Sequence, residues 1–478
     1  MTLEDSLAVF YKASQRDEEE AAKELVQGLG FLALAIVQAG SYLLHNQHIG
    51  VKQYLESYKK DMPRYLANTI KQKMDKYQFS VFATWNLSYQ KLDEKSKAIL
   101  MLCSVFHNSK IPMSILEKAW NNLSNVCGIN TQELQDFLRR FLKSDKGWSD
   151  ELLDDALNML RSYSLVELRG IGVRLLEIHS LVHEWAFESI SKEKQKKAKQ
   201  CAQQLFYCLG SEELEYNDAA QLVLHVQALI NRLNHKCDNE KVAERLSRIF
   251  SVAYFWNDAE KLQQQVLKGC QKVLSSNHPD TICAMSSLAV TLREGGKLEE
   301  AEKLDQEVLR LRTEAFGISH PDTTKAMSNL AATLRRSGKL ENAQRLCQQV
   351  LDVSLEVFGK SHPDTIRAMF HLAVTLRMSG KVEEAEKLLQ EVLKIRTEAF
   401  GTNHPDTIET MFQLAATFWR SGKLEEAEKL QQEVLRVRKE AFRTSHPDTI
   451  QAMSYLAATL SRGGKFEEAE KLEQEVLK

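Results

Sequence analysis

The tetrapeptide His-Pro-Asp-Thr occurs five times in this chain, and each copy begins 42 residues after the one before. The copies begin at His278, His320, His362, His404 and His446. Self-similarity at a fixed period of roughly 20–50 residues is typical of repeat proteins, in which each unit packs only on its neighbours. The spacing therefore predicts an array of stacked units over the second half of the chain rather than one globular core.

Each unit reads as two antiparallel helices. The Pro of the tetrapeptide suits the first turn of a helix, where its missing N–H costs nothing, and the following Asp suits the positive end of the helix dipole. The first helix then carries apolar residues at helical spacing and meets a glycine that suits the C-terminal cap. These glycines are Gly296, Gly338, Gly380, Gly422 and Gly464.

The second helix of each unit has one apolar stripe and an opposite face of Glu and Lys pairs. In the first clear copy the stripe consists of Ala301, Leu304, Val308 and Leu309. Neither helix could bury its stripe alone, so stacking of neighbours must supply the core. The chain also has only 7 Pro and 20 Gly in 478 residues, and this scarcity of helix breakers favours helix. The predicted fold class is mainly α, with an α-solenoid in the second half.

A degenerate earlier unit, marked by Ala259-Glu260-Lys261-Leu262, brings the total to about six units over residues 236–478. The unit resembles the tetratricopeptide repeat. In its 42-residue length it is similar to the repeats of kinesin light chains and of the sensor arms of some signalling NTPases. The resemblance implies a superhelix whose concave side, lined by the first helices, holds an extended peptide or a partner helix.

Comparing the copies with one another separates constant positions from variable ones. The variable residues fall mainly at two positions four residues apart, which share one face of the first helix, and arginines lie near the end of the same helix. Polar and varied side chains on such a face suit the recognition of a peptide. The candidate groove residues are Lys325, Asn329, Arg335, Arg367, His371, Arg377, Glu409, Gln413, Arg420, Gln451 and Tyr455.

The arginines at the ends of the first helices have two interpretations, and both stay open. They can form a ladder that favours acidic segments. Alternatively, they can offset the helix dipole, an effect of about 0.3–1 kcal/mol for each cation. His371 and Tyr455 are expected to be groove or packing residues rather than catalytic ones.

Residues 1–190 carry no 42-residue period and have a different composition. Residues 18–45 predict a mostly apolar helix pair, and residues 93–160 predict several amphipathic helices. Alternating residues in 164–168 and 173–178 flank a turn at 169–172, which predicts a β-hairpin before a helix that begins near His179. Helices followed by a hairpin resemble a winged-helix domain. Without a basic stripe, this one is not expected to bind DNA.

Four strings in the first 190 residues resemble the regions that follow the nucleotide-binding core of NB-ARC signalling NTPases, members of the STAND class. The strings are LGFLALAIVQAGSYL (29–43), SVFATWNLS (80–88), AILMLCSVFHNSKIP (98–112) and IHSLVHEWA (178–186). The resemblance implies a helical lobe at 1–92, a winged-helix domain at 93–190, a helical spacer at 191–235 and the repeats at 236–478. It also implies a nucleotide-phosphate contact for His179, which can be a remnant here.

The chain contains no strand–GxxxxGK[ST]–helix motif, which phosphoryl transfer needs for positioning phosphates and Mg²⁺. We therefore expect no ATP hydrolysis by this chain alone. No cofactor is expected either, unless a nucleotide-binding core that holds ADP or ATP is supplied elsewhere. The last unit stops within its second helix, so self-association through an uncapped repeat end is expected.

The net charge and the spacing of the cysteines exclude further classes of function. With 63 Lys+Arg against 65 Asp+Glu, the net charge of -2 supplies no global field for nucleic acid or anionic lipid. The eight cysteines include no CxxC pair, so neither a metal site nor a disulfide framework is predicted. No apolar stretch reaches the roughly 20 residues needed to span a bilayer. These features predict a cytoplasmic protein that is not an enzyme.

The sequence thus predicts a non-catalytic interaction protein that binds a protein or peptide in its repeat groove and carries a regulatory lobe. Two alternatives stay open. One is a nucleotide-controlled switch of the NB-ARC class whose P-loop is missing or supplied in trans. The other is a cargo adaptor similar to a kinesin light chain, although residues 1–235 show no sustained heptad pattern for pairing with a motor chain.

Overall fold

The computed structural model describes residues 1–68, 76–126, 128–143, 147–170, 174–210, 214–235, 237, 239–441 and 446–476, with side chains described outside residues 60–81 and 441. The chain forms two compact units, Met1–Phe255 and Trp256–Lys478. The finer domain boundaries expected from the sequence, after residues 92, 190 and 235, stay predictions.

The first unit is mainly helical. Its helices are α1 Leu3–Ser14, α2 Glu19–Gly28, α3 Ala33–His45, α4 Val51–Asn68, α5 Lys76–Lys91, α6 Glu94–Cys103, α7 Ser114–Asn122, α8 Gln132–Leu138, α9 Asp150–Ser162, α10 Ser180–Glu188, α11 Lys192–Leu209, α12 Tyr216–Arg232 and α13 Glu240–Val252. The pair α2 and α3 confirms the apolar helix pair predicted over residues 18–45, and α6 to α9 confirm the amphipathic helices of residues 93–160.

Five short strands complete the first unit. They are β1 Ile111–Pro112, β2 Leu142–Lys143, β3 Gly147–Trp148, β4 Glu167–Arg169 and β5 Leu175–Glu177. Strands β4 and β5 pair antiparallel and confirm the predicted hairpin, although residues 171–173 of its turn lie outside the described residues. Strand β1 adds to the other side of β5, and the fully buried Leu176 is the middle residue of this sheet. The winged-helix interpretation stays a prediction.

Large aromatic side chains form much of the core of the first unit. Trp85 and Trp185 are buried and their rings lie 5.6 Å apart, which joins α5 to α10. Phe106 and Phe206 are also buried, with ring centroids 5.2 Å apart. Burial of such rings stabilises a fold strongly because each removes a large apolar area from water.

The second unit consists of helices only, within its described residues. They are α14 Trp256–Val273, α15 Pro279–Glu294, α16 Leu298–Phe316, α17 Pro321–Arg336, α18 Leu340–Phe358, α19 Pro363–Met378, α20 Val382–Phe400, α21 Pro405–Ser421, α22 Leu424–Ala441, α23 Pro447–Arg462 and α24 Phe466–Val476. From α15 onward they form five pairs with the 42-residue period, and each helix packs on the next in chain order. This arrangement confirms a mainly helical, solenoid-like array.

Apolar residues from three successive helices meet at each level of the stack. The buried cluster around Leu389 and Val392 of α20 includes residues of α19 and α21, such as Ala373 and Leu414. Of the predicted stripe in α16, Ala301 and Val308 are buried, while Leu304 and Leu309 are half-buried against neighbouring clusters. The core therefore arises between units, as the stacking argument requires.

Candidate functional site

The His-Pro-Asp-Thr segment fixes where every first helix of the array begins. In all five copies the histidine Nδ1 accepts a hydrogen bond from the backbone N–H of the aspartate two residues later, at 3.1–3.2 Å. The proline occupies the first helical turn, as predicted. Sequence reasoning missed the histidine cap, because Ser, Thr, Asp and Asn are the residues usually expected at this position.

The same segment ties each first helix to the helix before it. The rings of His320, His362 and His404 stack on phenylalanines at the ends of α16, α18 and α20, with centroids 4.4–4.7 Å apart. The threonine hydroxyl donates to a backbone carbonyl of the preceding segment in three copies, as Thr365 Oγ1 does to Ser354 O at 3.1 Å, whereas Thr407 Oγ1 and Thr449 Oγ1 have no partner among the described residues. These contacts hold successive first helices in one register.

Each first helix is followed by the glycine that the sequence predicts as its C-terminal cap. Gly338 has a φ of 78°, and its counterparts Gly296, Gly380, Gly422 and Gly464 also have positive φ values. After it, the Lys339 N–H returns to the Leu334 carbonyl at 2.9 Å, which closes the last turn.

The first helices of successive repeats lie closer together than the second helices. Helices α15, α17, α19 and α21 pack on one another in sequence, whereas no comparably extensive contact joins successive second helices within the part of the chain that the structure describes. In a curved stack the more closely spaced elements lie on the inside. The surface formed by the first helices, which carries the candidate groove residues, is called the inner face below.

Several candidate residues are brought together across this inner face. Arg377 Nη2 donates to Gln413 Oε1 at 2.9 Å, and Gln413 Nε2 donates to Glu409 Oε1 at 2.8 Å. Arg420 Nη1 donates to the Arg377 carbonyl at 2.7 Å. The Tyr455 ring, 44% exposed, lies 5.0 Å from the ring of Phe412 in an edge-on arrangement. One continuous polar strip thus links α19 and α21.

Other candidate residues are more separate. Lys325, Arg367 and Gln451 are exposed near the starts of their helices, and Arg367 pairs with Asp364 in its own helix at 2.6 Å. Asn329 Nδ2 donates to Ser286 Oγ of the preceding first helix at 3.4 Å, and its carbonyl accepts from Arg293 Nη1 at 3.3 Å. Within the described residues, no side-chain hydrogen bond joins Lys325 or Gln451 to another candidate.

The arginines of the inner face divide into two groups. Arg420 and Arg462 each donate to a carbonyl at the end of the preceding first helix, Arg377 O and Trp419 O, at 2.7 and 2.9 Å. These contacts fit the helix-end interpretation. The Arg335 side chain, in contrast, makes no hydrogen bond to any residue that the structure describes, and the Arg377 side chain bonds to Gln413 of the next first helix.

Several arginines lie close together in a partly buried region of the inner face, and they change the pKa values of their neighbours. Burial, and then the neighbouring cations Arg335, Arg367, Arg396 and Arg293, lower the pKa of His371 to about 3. Burial also lowers the pKa values of Arg335 and Arg377, with further lowering by nearby arginines. His371 is therefore neutral at physiological pH and takes part as a hydrogen-bonding group rather than as a cation.

Glu409 is the only acidic candidate on this face. Its side chain is 42% exposed and lies 3.5 Å from Arg438 Nη2. Burial nevertheless raises its pKa, and the bond from Gln413 and the nearby Arg438 only partly oppose the shift. A group that is open to water yet poorly solvated lies in a recess with protein on several sides, which is the environment a groove provides.

A cavity of about 400 Å³ opens on the inner face between α19, α21 and α23. Arg377, Arg420 and Tyr455 of the candidate set line it, together with Trp419. Sequence reasoning left Trp419 out of the candidate set. The available signal was the replacement of the arginine found at the same position in earlier copies, Arg293, Arg335 and Arg377.

In the first unit, His179 occupies the N-cap of α10. Its Nδ1 accepts from the Leu181 backbone N–H at 3.3 Å, and the residue is exposed. Capping explains a histidine at this position through local structure alone. The nucleotide contact implied for it stays a prediction.

Two further properties concern the described residues as a whole. None of their helices is long and apolar enough to cross a membrane. They also contain no group of three or more His, Cys, Asp or Glu side chains arranged to hold a metal ion. Cys103, Cys201, Cys208, Cys283 and Cys347 are free thiols, and Cys127 lies outside the described residues.

Comparisons with known proteins agree with the repeat geometry. The tetratricopeptide repeat family matches residues 255–314, 322–398, 371–440 and 414–478. A comparison with curated protein sequences gives no match.

Among solved structures, the kinesin light chain TPR-like repeats of Podospora anserina are 24% identical, cover 42% of this chain and 94% of their own, and have a TM-score of 0.36. BtubC (BKLC) from P. vanneervenii is 18% identical over 46% of this chain and 89% of its own, with a TM-score of 0.39.

A STAND protein with a tetratricopeptide repeat sensor from Pyrococcus horikoshii is 16% identical, with a TM-score of 0.38. The similarity covers 99% of this chain and 65% of that protein. The helix pairs, their period and the family match together establish that residues 255–478 are tetratricopeptide repeats stacked as an α-solenoid.

Proposed function

We propose that this chain is a non-catalytic interaction scaffold whose inner repeat face binds an acidic peptide segment, or the acidic face of a partner helix, from another protein. Tetratricopeptide repeats indicate a role in protein interaction, and the charge of the inner face supports the acidic character of the partner. The observation that carries the proposal is the unpaired Arg335 guanidinium, held among other cations in an enclosed part of that face.

The charge balance of the candidate set differs from that of the chain. The set has five cations, Lys325, Arg335, Arg367, Arg377 and Arg420, and one acid, Glu409, while the chain as a whole carries a net charge of -2. Complementary potentials of this kind steer association and select partners. Asn329, Gln413 and His371 add neutral hydrogen-bonding groups that can contact a peptide backbone.

The proposal can be tested with peptides selected from a displayed library of random twelve-residue sequences on the full chain. We expect selection to enrich Asp and Glu, with binding that weakens as salt rises. The double substitution Arg335→Gln and Arg367→Gln should weaken the selected peptides by roughly tenfold or more, measured by calorimetry, because charge-assisted hydrogen bonds are lost.

Arg310 offers a matched control on the outer face. It lies on α16, is 52% exposed and already pairs with Glu307 and Glu314. Arg310→Gln removes one of the same kind of charge, against two in the double variant, and should leave peptide affinity unchanged. Equal loss in both variants, or selected peptides without acidic enrichment, would argue against an acidic partner on the inner face.

In this proposal the first unit is a regulatory lobe of NB-ARC type, an assignment supported by the four strings of the sequence, by the helices that they form and by the hairpin that precedes the last string. Calorimetry with ADP on the full chain tests the lobe. Tight binding that His179→Ala abolishes would favour a nucleotide-controlled switch over a scaffold alone. The free thiols of Cys103, Cys201, Cys208, Cys283 and Cys347 support a reducing location such as the cytoplasm.

A further inference from the structure

The second helix α18 differs from its counterparts near its C-terminal end. Helices α16, α20 and α22 share one pattern there, a basic residue, an apolar residue, Arg, Thr or Lys, Glu and Ala. In α18 the same stretch, residues 352–357, reads Asp-Val-Ser-Leu-Glu-Val. Aspartate thus replaces a basic residue at position 352, leucine replaces threonine or lysine at 355, and valine replaces alanine at 357.

The added apolar side chains do not serve the core of the array. Leu355 is 40% exposed and Val357 is 49% exposed. Ile318, which is 52% exposed, belongs to the same surface. One repeat later the equivalent Lys360 pairs with Glu391 of α20, and the same relation places Ile318 beside α18. Single exposed apolar residues are ordinary, whereas a group of them marks a surface that binds a partner.

The charge beside these apolar residues is negative and is not neutralised by the chain. Arg310 of α16 and Arg436 of α22 each pair with two glutamates of their own helix. The equivalent residue of α18 is Asp352, which accepts a hydrogen bond from the uncharged Gln348 side chain at 2.8 Å. Neither Asp352 nor Glu356 forms an ion pair with any residue that the structure describes. Carboxylates near the C-terminal end of a helix also oppose its dipole, so they do not stabilise α18.

The exposed side chains have the spacing that suits contact with another helix. Asp352, Leu355 and Glu356 lie at i, i+3 and i+4, so they share one face of α18. The negative charge of this face disfavours nucleic acid and anionic lipid, which are themselves anionic. It is complementary to lysine and arginine side chains, while the leucine, valine and isoleucine suit an apolar stripe.

We propose that the α18 surface, formed by Ile318, Asp352, Leu355, Glu356 and Val357, binds a basic amphipathic helix of another protein. The apolar stripe of that helix packs on the three aliphatic side chains, and its cations pair with the two carboxylates. This surface belongs to a second helix and is separate from the inner face. The inference therefore goes beyond the proposed function and does not depend on it.

The repeats themselves supply the variant that tests this surface. The triple variant Asp352→Arg, Leu355→Thr and Val357→Ala gives α18 the residues that α16 has at the same positions, Arg310, Thr313 and Ala315. The probe is a displayed library of eighteen-residue peptides with a constant leucine stripe at helical spacing and Lys, Glu or Gln at all other positions. Peptides that bind the full chain but not the triple variant are sequenced.

We expect these peptides to be enriched in lysine over glutamate. The most enriched peptide should bind the triple variant roughly tenfold more weakly than the full chain, measured by fluorescence anisotropy. Its affinity should also fall as salt rises. The second variant Asp352→Asn with Glu356→Gln keeps the size of both side chains and should remove most of the salt dependence. Arg335→Gln with Arg367→Gln, on the inner face, should leave the affinity unchanged.

Three results would overturn the proposal. The first is that no peptide discriminates between the full chain and the triple variant, and the second is a discriminating pool without lysine enrichment. The third comes from sedimentation of the chain alone, where dimers that the triple variant abolishes would assign the α18 surface to a second copy of this chain. Circular dichroism of the variants checks that their helicity matches that of the full chain. None of these results bears on acidic peptides at the inner face, so the two proposals fail separately.

Discussion

At the scale of single residues, Asp305 is the clearest departure from the repeat pattern. It is 1% exposed, and the Thr333 hydroxyl donates to its Oδ2 at 2.6 Å, while Oδ1 has no partner among the described residues. The corresponding residues of the next three copies, Cys347, Leu389 and Gln431, are also buried, whereas Glu473 of the last copy is exposed. A core position shared by four different residue types tolerates changes in polarity, and Asp305 is the costliest of the four to bury.

We expect Asp305→Leu to raise the free energy of unfolding by about 1–3 kcal/mol at pH 7, since it removes a buried and incompletely paired carboxyl group. Leu389 shows that leucine fits this position. Thr333 keeps a partner after the change, because its hydroxyl also donates to the Asn329 carbonyl at 3.2 Å. Urea unfolding followed by circular dichroism measures the difference.

The pH dependence of the same variant checks the cause. Burial raises the pKa of Asp305 above its usual 3.8, so the folded chain keeps a proton that the unfolded chain has released. The contribution of this bound proton to the free energy of unfolding is therefore complete below about pH 3.8 and is lost as pH rises through the pKa of Asp305 in the folded chain. The advantage of Asp305→Leu should grow over that range. A difference that stays constant with pH would contradict a raised pKa, and Asp305→Asn serves as the control of equal size.

At the scale of secondary-structure elements, Gly40 sets how closely α1 and α3 approach. A Cβ atom at Gly40 would lie 2.5 Å from the Ala13 Cβ and 3.0 Å from the Ser14 backbone nitrogen. Real Cβ atoms essentially never lie 2.5 Å from another heavy atom, and the Ala13 Cβ cannot rotate away, so the two helices would have to move apart. The glycine in the middle of an apolar helix thus has a packing reason rather than a turn-forming one.

We expect Gly40→Ala to lower the free energy of unfolding by about 1–3 kcal/mol through overpacking. The loss should appear despite the roughly 1 kcal/mol by which alanine is the better helix former. Gly28→Ala is the matched control, because the nearest atom to its added Cβ, Leu55 Cδ1, is 3.9 Å away. Thermal unfolding of both variants provides the measurement, and equal effects would show that Gly40 does not determine the helix spacing.

Secondary-structure elements that are determined by neighbouring residues could be predicted from the sequence. Elements and contacts that depend on distant parts of the chain could not. The helix starts at the five prolines, the glycine caps and the β4–β5 hairpin all depend on neighbouring residues, so periodicity and turn residues were sufficient. Strands β1, β2 and β3 have two residues each and leave no periodicity to read. The unpaired Trp419 Nε1 and Arg377 Nε result from the packing of three helices that begin 42 residues apart in the sequence. No local sequence pattern encodes that packing.

At the scale of the whole molecule, the repeats form a linear stack whose core is divided into levels. The buried residues of the cluster around Leu389 come from helices α17 to α22, and the half-buried Leu309 of α16 packs against them, whereas buried residues of α15 and α16 belong to other clusters. In such arrays stability is approximately a sum of terms within repeats and between nearest neighbours. Damage at one level should therefore weaken nearby levels first.

We expect Leu389→Ala to destabilise its surroundings by about 2–5 kcal/mol, because leucine truncation leaves a cavity in a core that cannot fully collapse. Hydrogen exchange measured by mass spectrometry on the full chain should show faster exchange in α19–α22 and little change in α15 and α16. An equal rise throughout the second unit would mean that the repeats open as one cooperative block, against the nearest-neighbour description.

The histidine caps and their phenylalanine partners have a consequence for how such a chain can change over evolutionary time. At three junctions the histidine of one copy stacks on a phenylalanine at the tail of the copy before it. Duplication of one 42-residue block in the gene would create a new junction between repeats, and the residues that form its contacts would already be present in the duplicated block. The length of the repeat array that contacts a partner can thus increase or decrease by whole 42-residue repeats. The side chains that determine which partner binds can change independently of the array's length.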